Sequence, residues 1–348
     1  MVIGVIGAGL SGLIAGKTLA EAGHEVVVFE KSGHFGGRLA SSKTGGDKQI
    51  IFDYGVPYFH PESDEFKAFI QELEEAGLVE KWCETLSYSD GKKLFDTYPG
   101  KERSTYYMAP DGMNGIARYL SRWLDFRTGV PVSSMTFIGS NRKSKRNWMI
   151  TMSDINTFEL DAVIIATPST EAYGLIQTSQ DELAFRKLIQ SINRIEYEPC
   201  ISLMADYGKR EIPEWKGIIC QDDRLQWISN ENSKRQNSGE LGIVFQSTGE
   251  FAKKYINSSS EQAVKLMLER AEAILGPWAA RPIRQDIHIW KYNKPRNPLK
   301  VPYLELIDHP TNVALVGDYF GKQTIETAYL SGFRLGKEWI NKLEPQNV

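Results

Sequence analysis

The chain has 348 residues, 41% of them apolar and 24% charged, enough for a large core and more than one domain. Its formal net charge of −3 gives no electrostatic reason to expect nucleic acid or an anionic membrane as partner, and no apolar run is long enough to span a bilayer. Three dispersed cysteines, Cys83, Cys200 and Cys220, and five scattered histidines suit neither a disulfide framework nor a metal centre, so a reducing, cytoplasmic setting without a metal is expected.

Residues 2–6 form an apolar run of strand length that lacks a basic leader and passes straight into Gly7-Ala8-Gly9-Leu10-Ser11-Gly12, so they read as a first strand and not as a targeting segment. Leu13, Ile14, Leu19 and Ala20 then recur at helical spacing, Gly23 closes the helix, and Val26 to Glu30 read as a second buried strand. In such a strand–helix–strand unit, Gly7, Gly9 and Gly12 permit a tight turn and close approach of a pyrophosphate. The amides of Leu10, Ser11 and Gly12 sit at the positive end of the helix dipole. Glu30, 23 residues past Gly7, stands where an acid accepts ribose hydroxyls and repels a 2′-phosphate. Dinucleotide binding follows. Lys31 and then Gly36-Gly37-Arg38-Leu39 come next. Two small residues followed by an arginine fork suit a second grip on phosphate, which points to FAD rather than NAD.

Farther along, Val130 to Val132, Trp148 to Met152 and Phe158 to Ile165 are predicted as an antiparallel meander. The basic run Arg142-Lys143-Ser144-Lys145-Arg146 reads as a solvated hairpin tip. Thr167-Pro168 ends the last of these strands. Ile201 to Met204 read as a buried structural strand. Ile287 to Tyr292 alternate, placing His288, Trp290 and Tyr292 on one face. That face is either a packed sheet surface or an aromatic wall for a flat substrate, with Trp227 and Tyr58 as weaker candidates for the same wall. Val313 to Val316 form a further buried strand ended by Gly317-Asp318, where ligands bind at the carboxyl end of a sheet. A helix is expected from Thr324–Glu326 to about Lys342, with Ile325, Glu326, Thr327 and Ala328 at its positive end.

These motifs, in this order, resemble the FAD-dependent amine oxidase superfamily, and within it the renalase-like branch. The resemblance also rests on residues 52–59, which look like an Asp-x-Gly-Ala-x-Tyr-Phe segment, and on the Pro110-Asp111-Gly112-Met113-Asn114 turn. Further support comes from Val163 to Pro168, from Cys220-Gln221-Asp222 with Leu225 and Trp227, from Trp290, Tyr292 and Pro295, and from Gly317-Asp318 with Ile325 to Gly332. It implies an α/β fold: a two-dinucleotide-binding, glutathione-reductase-like Rossmann domain for FAD at residues 1–79, 108–170 and 307–348. An inserted mixed-sheet α+β substrate domain takes residues 80–107 and 171–306. It adds Gly55, Val56, Pro57, Tyr58, Val132 and Thr167 to the cofactor residues, puts Asp318 on the ribityl chain and sets the final helix at the flavin pyrimidine edge. FAD is expected to be non-covalent, because no cysteine falls in the C-terminal flavin motif.

The implied reaction is hydride transfer from a small donor to flavin with O2 as oxidant, most closely the conversion of isomeric dihydronicotinamide dinucleotides to NAD(P)+ with formation of H2O2. Tyr58, Trp227, Gln246, Trp290 and Tyr292 are the candidate catalytic residues. An FAD amine oxidase or desaturase acting on another substrate, and a non-catalytic flavin-binding protein, are the alternatives. The sequence departs from the family pattern at Pro57, His60, Gln246 and Thr324, close to where the substrate or flavin ring is expected.

Overall fold

The computed structural model describes residues 1–44, 50–98, 100, 103–139, 146–179, 182–235, 240–306, 311–322 and 324–343. The chain forms two compact units, each assembled from separated segments: residues 1–38, 116–196 and 295–348 make the first, and residues 39–115 and 197–294 the second. The division falls elsewhere than the expected domain borders. Residues 39–79 and 108–115 go with the second unit, and 171–196 and 295–306 with the first.

In the first unit, the strand Val2–Ile6 pairs in parallel with Glu25–Glu30 on one side and Ala162–Ile165 on the other. Asn312–Leu315 and Asp125–Thr128 extend the sheet in parallel, and Leu304–Glu305 closes one edge antiparallel. All five residues of Val2–Ile6 are buried, as a central parallel strand covered on both faces requires. The helix Leu10–Glu21 lies against the helix Ile325–Leu343 along a seam of small residues. A methyl group placed on Gly332 would stand 2.1 Å from the Ser11 carbonyl oxygen, and one on Gly336 would stand 2.7 Å from Thr18 Cβ.

The expected meander forms as three antiparallel strands, Val132–Phe137, Trp148–Met152 and Thr157–Leu160. Its third strand does not run on to Ile165 as one element. The chain breaks at Asp161, whose carboxylate accepts the Val2 amide at 2.7 Å, and Ala162–Ile165 joins the parallel sheet instead. Residues 142–145 of the basic run lie outside the described residues; Arg146 donates to the Glu159 carbonyl at 2.9 Å.

The second unit is built on a seven-stranded mixed sheet in the order Arg284–Pro295, Tyr197–Lys209, Glu240–Ser247, Leu225–Asn230, Gly217–Cys220, Ser87–Ser89 and Leu94–Phe95. Alternation sorts its two faces. Ile201, Leu203, Ala205, Ile243, Phe245, Leu225 and Ile228 share a core with Met267 and Ala271 of the helix Ser260–Leu275, and Ile287 and Ile289 pack against it. Their neighbours in sequence therefore point the other way. On that second face Met204 and Val244 pack with Ile50 and Phe52. No described helix is long and apolar enough to cross a membrane.

Candidate functional site

In the first unit the glycine loop is shaped to receive a ligand. Gly7 has φ +106°, and a side chain there would meet the Ala166 carbonyl oxygen at 2.8 Å, so the turn requires glycine. A methyl placed on Gly9 would meet nothing within 4 Å, which leaves open space above the start of the helix Leu10–Glu21. No side chain caps that helix end and no acid stands in its first turn, so the amides of Leu10, Ser11 and Gly12 and the dipole favour an anion. Gly36 completes the loop from the other side: its amide donates to the Ala8 carbonyl at 2.7 Å, and it bridges Gly9. Gly37 has φ +56° and approaches the Gly9 Cα so closely that a methyl would lie 3.3 Å from it. Among the described residues the buried Thr167 hydroxyl meets no hydrogen-bond partner; it lies beside this loop, its methyl 3.2 Å from where a Gly7 side chain would begin. An open glycine turn, an uncapped helix start and an unsatisfied buried hydroxyl fit the phosphates and ribose of a dinucleotide.

Glu30 has a second task that spacing did not reveal. One of its carboxylate oxygens accepts the Ala8 amide at 2.9 Å, and the other accepts the amide and hydroxyl of Ser32, each at 2.9 Å. It therefore fixes both ends of the loop as well as presenting an acid at the strand end. Lys31 is ion-paired with Glu171 at 2.6 Å. Arg38 meets Asp318 as a two-pronged pair, with nitrogen–oxygen distances of 2.6 and 2.8 Å, across 280 residues of chain. The two residues expected to bind different parts of FAD thus orient each other through the planar guanidinium fork.

At the helix Ile325–Leu343, the Thr327 amide donates to the Thr324 hydroxyl at 3.2 Å. Thr324, read from sequence both as a departure and as the region where this helix begins, is the N-cap, and Thr327 spends its amide on it. Gly317 donates to the Ser331 hydroxyl at 3.0 Å. Val132 opens the antiparallel strand Val132–Phe137; Leu39, Gly55, Val56, Pro57 and Tyr58 belong to the second unit.

In the second unit, one row of the sheet face opposite the helical core carries Ser202, Gln246 and Trp227, which are register partners across three strands. Above it the segment after Asp53 is suspended by side chains. The Tyr54 carbonyl accepts the Ser202 hydroxyl at 2.7 Å and the Trp290 indole at 3.0 Å, and the Gly55 carbonyl accepts the Gln246 amide at 2.7 Å. Gln246 is thus a fixed anchor, not a free polar group. The Trp290 ring stacks on Tyr54, 5.5 Å between centroids and 19° between planes, and His288 lies 4.1 Å from Trp290 and 5.0 Å from Tyr54.

The five catalytic candidates therefore do not form one wall. Trp290 joins Tyr54 and His288. Tyr58 and Trp227, 5.1 Å apart, form a separate cluster with Trp82 and Tyr106. Tyr292 packs on Tyr197 at 5.3 Å. Burial, with Tyr106 and Cys83 nearby, pushes the Tyr58 phenol up to about 12, so it is a neutral hydroxyl at physiological pH. The Trp227 indole nitrogen is buried and meets no hydrogen-bond partner among the described residues. Burial lowers the His288 imidazole from its ordinary value, against the opposing effect of Asp286. The places of Tyr54 and Ser202 in this cluster were not read from the sequence. Period-2 alternation from Ile201 and Leu203 would have found Ser202, but nothing local marks Tyr54.

Beneath this face lies a neutral cluster of four buried charges. Asp53 accepts Arg235 at 2.5 Å and Lys234 at 3.4 Å; Glu231 accepts Lys234 at 2.9 Å and lies 3.6 Å from Arg235. Asp53 also takes the Met113 amide at 3.0 Å and the Ser41 hydroxyl at 2.7 Å. Burial alone would raise its pKa, but Lys234, Arg235 and these hydrogen bonds outweigh it and hold the carboxyl below the usual range. His60, another departure, sets its Nδ1 3.2 Å from the Thr105 carbonyl.

Comparison with known proteins gives these arrangements a context. The NAD(P)-binding Rossmann-like domain family matches residues 5–73, and the family described as flavin containing amine oxidoreductase matches residues 76–335. YobN of Bacillus subtilis (strain 168), which carries a provisional L-amino-acid oxidase name, is 29% identical over 189 residues, 52% of this chain and 37% of that protein. A 4,4'-diapophytoene desaturase (4,4'-diaponeurosporene-forming) of Staphylococcus haemolyticus (strain JCSC1435) is 42% identical over 72 residues, 21% of this chain and 14% of that one. The chain thus aligns with well under half the length of either curated relative. Among solved structures, cyclohexylamine oxidase from Brevibacterium oxydans IH-35A superposes with a TM-score of 0.73 at 12% identity, covering 99% of both chains. Putrescine oxidase bound to putrescine gives 0.71 at 13% identity, again over 99% of both. At such identities the likeness is one of fold.

Proposed function

This chain belongs to the flavin containing amine oxidoreductase family, and on that premise we propose that it oxidises a small planar donor by hydride transfer to FAD, most closely as renalase-like enzymes oxidise isomeric dihydronicotinamides. It is an FAD-dependent oxidoreductase whose cofactor is held non-covalently. In the proposed roles, the glycine loop and helix start at residues 7–12 bind the pyrophosphate, Glu30 a ribose, and Arg38 and Asp318 the phosphate and ribityl portions, in a two-dinucleotide-binding arrangement. FAD supplies the hydride acceptor when bound. The chain's own residues bind the donor, hold it in one orientation and keep its polar edge satisfied.

The observation that carries the choice of donor is the stacked Tyr54–Trp290 pair, whose rings present a flat surface and whose one indole N–H is already fixed on a backbone carbonyl. Such a surface suits a planar ring. The buried carboxylates Asp53 and Glu231 are neutralised by Lys234 and Arg235, so they offer no spare counter-charge to an ammonium. The overall reaction balances as dihydronicotinamide, O2 and one proton giving NAD(P)+ and H2O2. Loss of hydride makes the donor ring aromatic, so it needs no general base. A second reading, oxidation of an amine that enters neutral, is favoured by His288, an imidazole whose environment resists protonation. Cys83, Cys200 and Cys220 form no disulfide, which supports a cytoplasmic setting.

The test is anaerobic mixing of the flavin-loaded protein with borohydride-reduced NAD+, which contains the 2-, 4- and 6-dihydro isomers, while flavin absorbance is followed. Fast bleaching by the 2- or 6-isomer and slow bleaching by ordinary NADH is expected. Bleaching by primary amines alone would replace this reading with the second, and failure of every donor would leave a binding protein.

A further inference from the structure

In the Tyr54–His288–Trp290 cluster the Trp290 indole is committed, while the His288 ring nitrogens meet no hydrogen-bonding partner among the described residues. Trp290 gives its indole N–H to the Tyr54 carbonyl. Among the described residues, the His288 contacts are the faces of Trp290 at 4.1 Å and Tyr54 at 5.0 Å, and neither ring nitrogen meets a hydrogen-bonding partner. Strand alternation points His288 away from the helical core that Ile287 and Ile289 pack against. It is partly buried, so its nitrogens are neither sealed in the core nor left wholly to bulk water. A ring packed at a tilt against two others, with its nitrogens unpaired among the described residues, is a hydrogen-bonding group oriented before any ligand arrives.

We propose that His288 is a substrate-contacting residue that accepts a hydrogen bond from an N–H of the hydride donor bound on the Tyr54–Trp290 surface. This deepens the function proposed above and rests on it. The shared chemistry is a flat or small donor bearing an N–H. A dihydronicotinamide offers its carboxamide and a neutral amine its own nitrogen, so the inference covers both sources and the experiment separates them. A neutral imidazole has one accepting nitrogen; protonation removes it and places a positive charge beside the donor. The titratable groups beside His288 are Asp286 on its own strand and the Tyr54 phenol. Burial and Asp286 raise the Tyr54 phenol, so it stays neutral while the imidazole titrates. Ser202 and Met204 of the adjoining strand bring no charge.

The experiment is stopped-flow flavin reduction from pH 5 to 9 with the 2- and 6-dihydro isomers in one arm and benzylamine in the other, using wild type, His288→Phe and His288→Asn. Flavin content and thermal midpoint serve as controls for folding. Wild type should lose reduction efficiency as pH falls through the lowered imidazole pKa. His288→Phe should bind the effective donor about tenfold more weakly, the worth of one hydrogen bond to a bound ligand, with flavin content unchanged. His288→Asn keeps a carbonyl acceptor that does not titrate, so it should recover much of the affinity and lose the acid limb. An acid limb that persists in His288→Asn, or unaltered donor affinity in His288→Phe, overturns the proposal while leaving the proposed function standing. If neither donor class reduces the wild-type flavin, the proposed function falls and this role falls with it.

Discussion

Asp53→Asn tests the energetics of the second unit most directly. The substitution keeps shape and an oxygen that can accept the Met113 amide and Ser41 hydroxyl, but turns the side facing Arg235 and Lys234 from acceptor to donor. Two cations then share the single carboxylate of Glu231 in a site where the side chains of Asp53, Glu231 and Lys234 are 0% exposed and that of Arg235 is 4% exposed. Breaking a buried ion pair on one side costs about 3–5 kcal/mol, because the remaining charge is stranded. For a cooperative unit of this size that lowers the thermal midpoint by about 6–20 °C. The natural companion is Lys234→Met. Alone it leaves an excess negative charge, but combined with Asp53→Asn it restores neutrality, so the double variant should be more stable than the sum of the single losses.

The pH dependence has a defined sign. The Asp53 pKa is lower in the folded chain, so its contribution is complete above the unfolded carboxyl pKa of about 3.9 and lost as pH falls from there through the folded value. The difference between wild type and Asp53→Asn should be constant from pH 5 to 8 and shrink only below about pH 4. Urea unfolding followed by tryptophan fluorescence measures it. A loss under about 1 kcal/mol at pH 7, or a simple sum in the double variant, would show that the four charges do not act as a coupled group.

Arg38→Ala should deplete bound flavin in the purified protein while leaving the first unit folded, and Arg38→Lys should restore little, because a lysine cannot reproduce the two-pronged pairing with Asp318; full flavin occupancy in either variant would remove Arg38 from phosphate binding. Trp290→Phe should slow flavin reduction and cost about 0.5–1.5 kcal/mol by removing one of the two donors to the Tyr54 carbonyl, which keeps the Ser202 hydroxyl. Trp227→Phe deletes an indole nitrogen that meets no partner among the described residues and should leave unfolding nearly unchanged, so equal effects in the two would show that the indole bonds are not what matters. Gly9→Ala projects a methyl into open space and should lower flavin retention without loss of stability. Gly332→Ala drives a methyl into the Ser11 carbonyl and should cost about 1–3 kcal/mol or more; the two are distinguished by flavin content against thermal midpoint.

The nucleotide half was legible because its constraints are local. A glycine turn, an acid at the end of the next strand and a helix start lie within thirty residues, and each has a steric or electrostatic reason to look as it does. The Arg38–Asp318 pair was half legible: both residues stood out, but a contact spanning 280 residues leaves no trace in spacing. The aromatic face was legible as a face and not as a site. Alternation correctly set His288 and Trp290 on one side of a strand, yet Tyr292 turned to Tyr197, and Trp227 and Tyr58 formed a group of their own. Strand order, which decides which faces meet, is not encoded in any single strand. Thr324 shows the opposite case. Set against a family pattern it was a departure, and the expected helix start at Thr324–Glu326 already placed it where a capping threonine belongs, one residue before Ile325.

The seam between the helices Leu10–Glu21 and Ile325–Leu343 bears on how this protein is made. The first wall of the phosphate loop leaves the ribosome within the opening thirty residues, but the helix whose Gly332 and Gly336 accept it is synthesised some three hundred residues later. At translation rates of about 5–20 residues per second the wait is tens of seconds. Throughout that interval the glycine loop lacks the packing of that helix, and both segments of the second unit are synthesised in the gaps between the three segments of the first. Seating of the glycine loop against that helix therefore waits on its synthesis, and a chain cut short of residue 325 is expected to retain less flavin than one that contains the helix Ile325–Leu343.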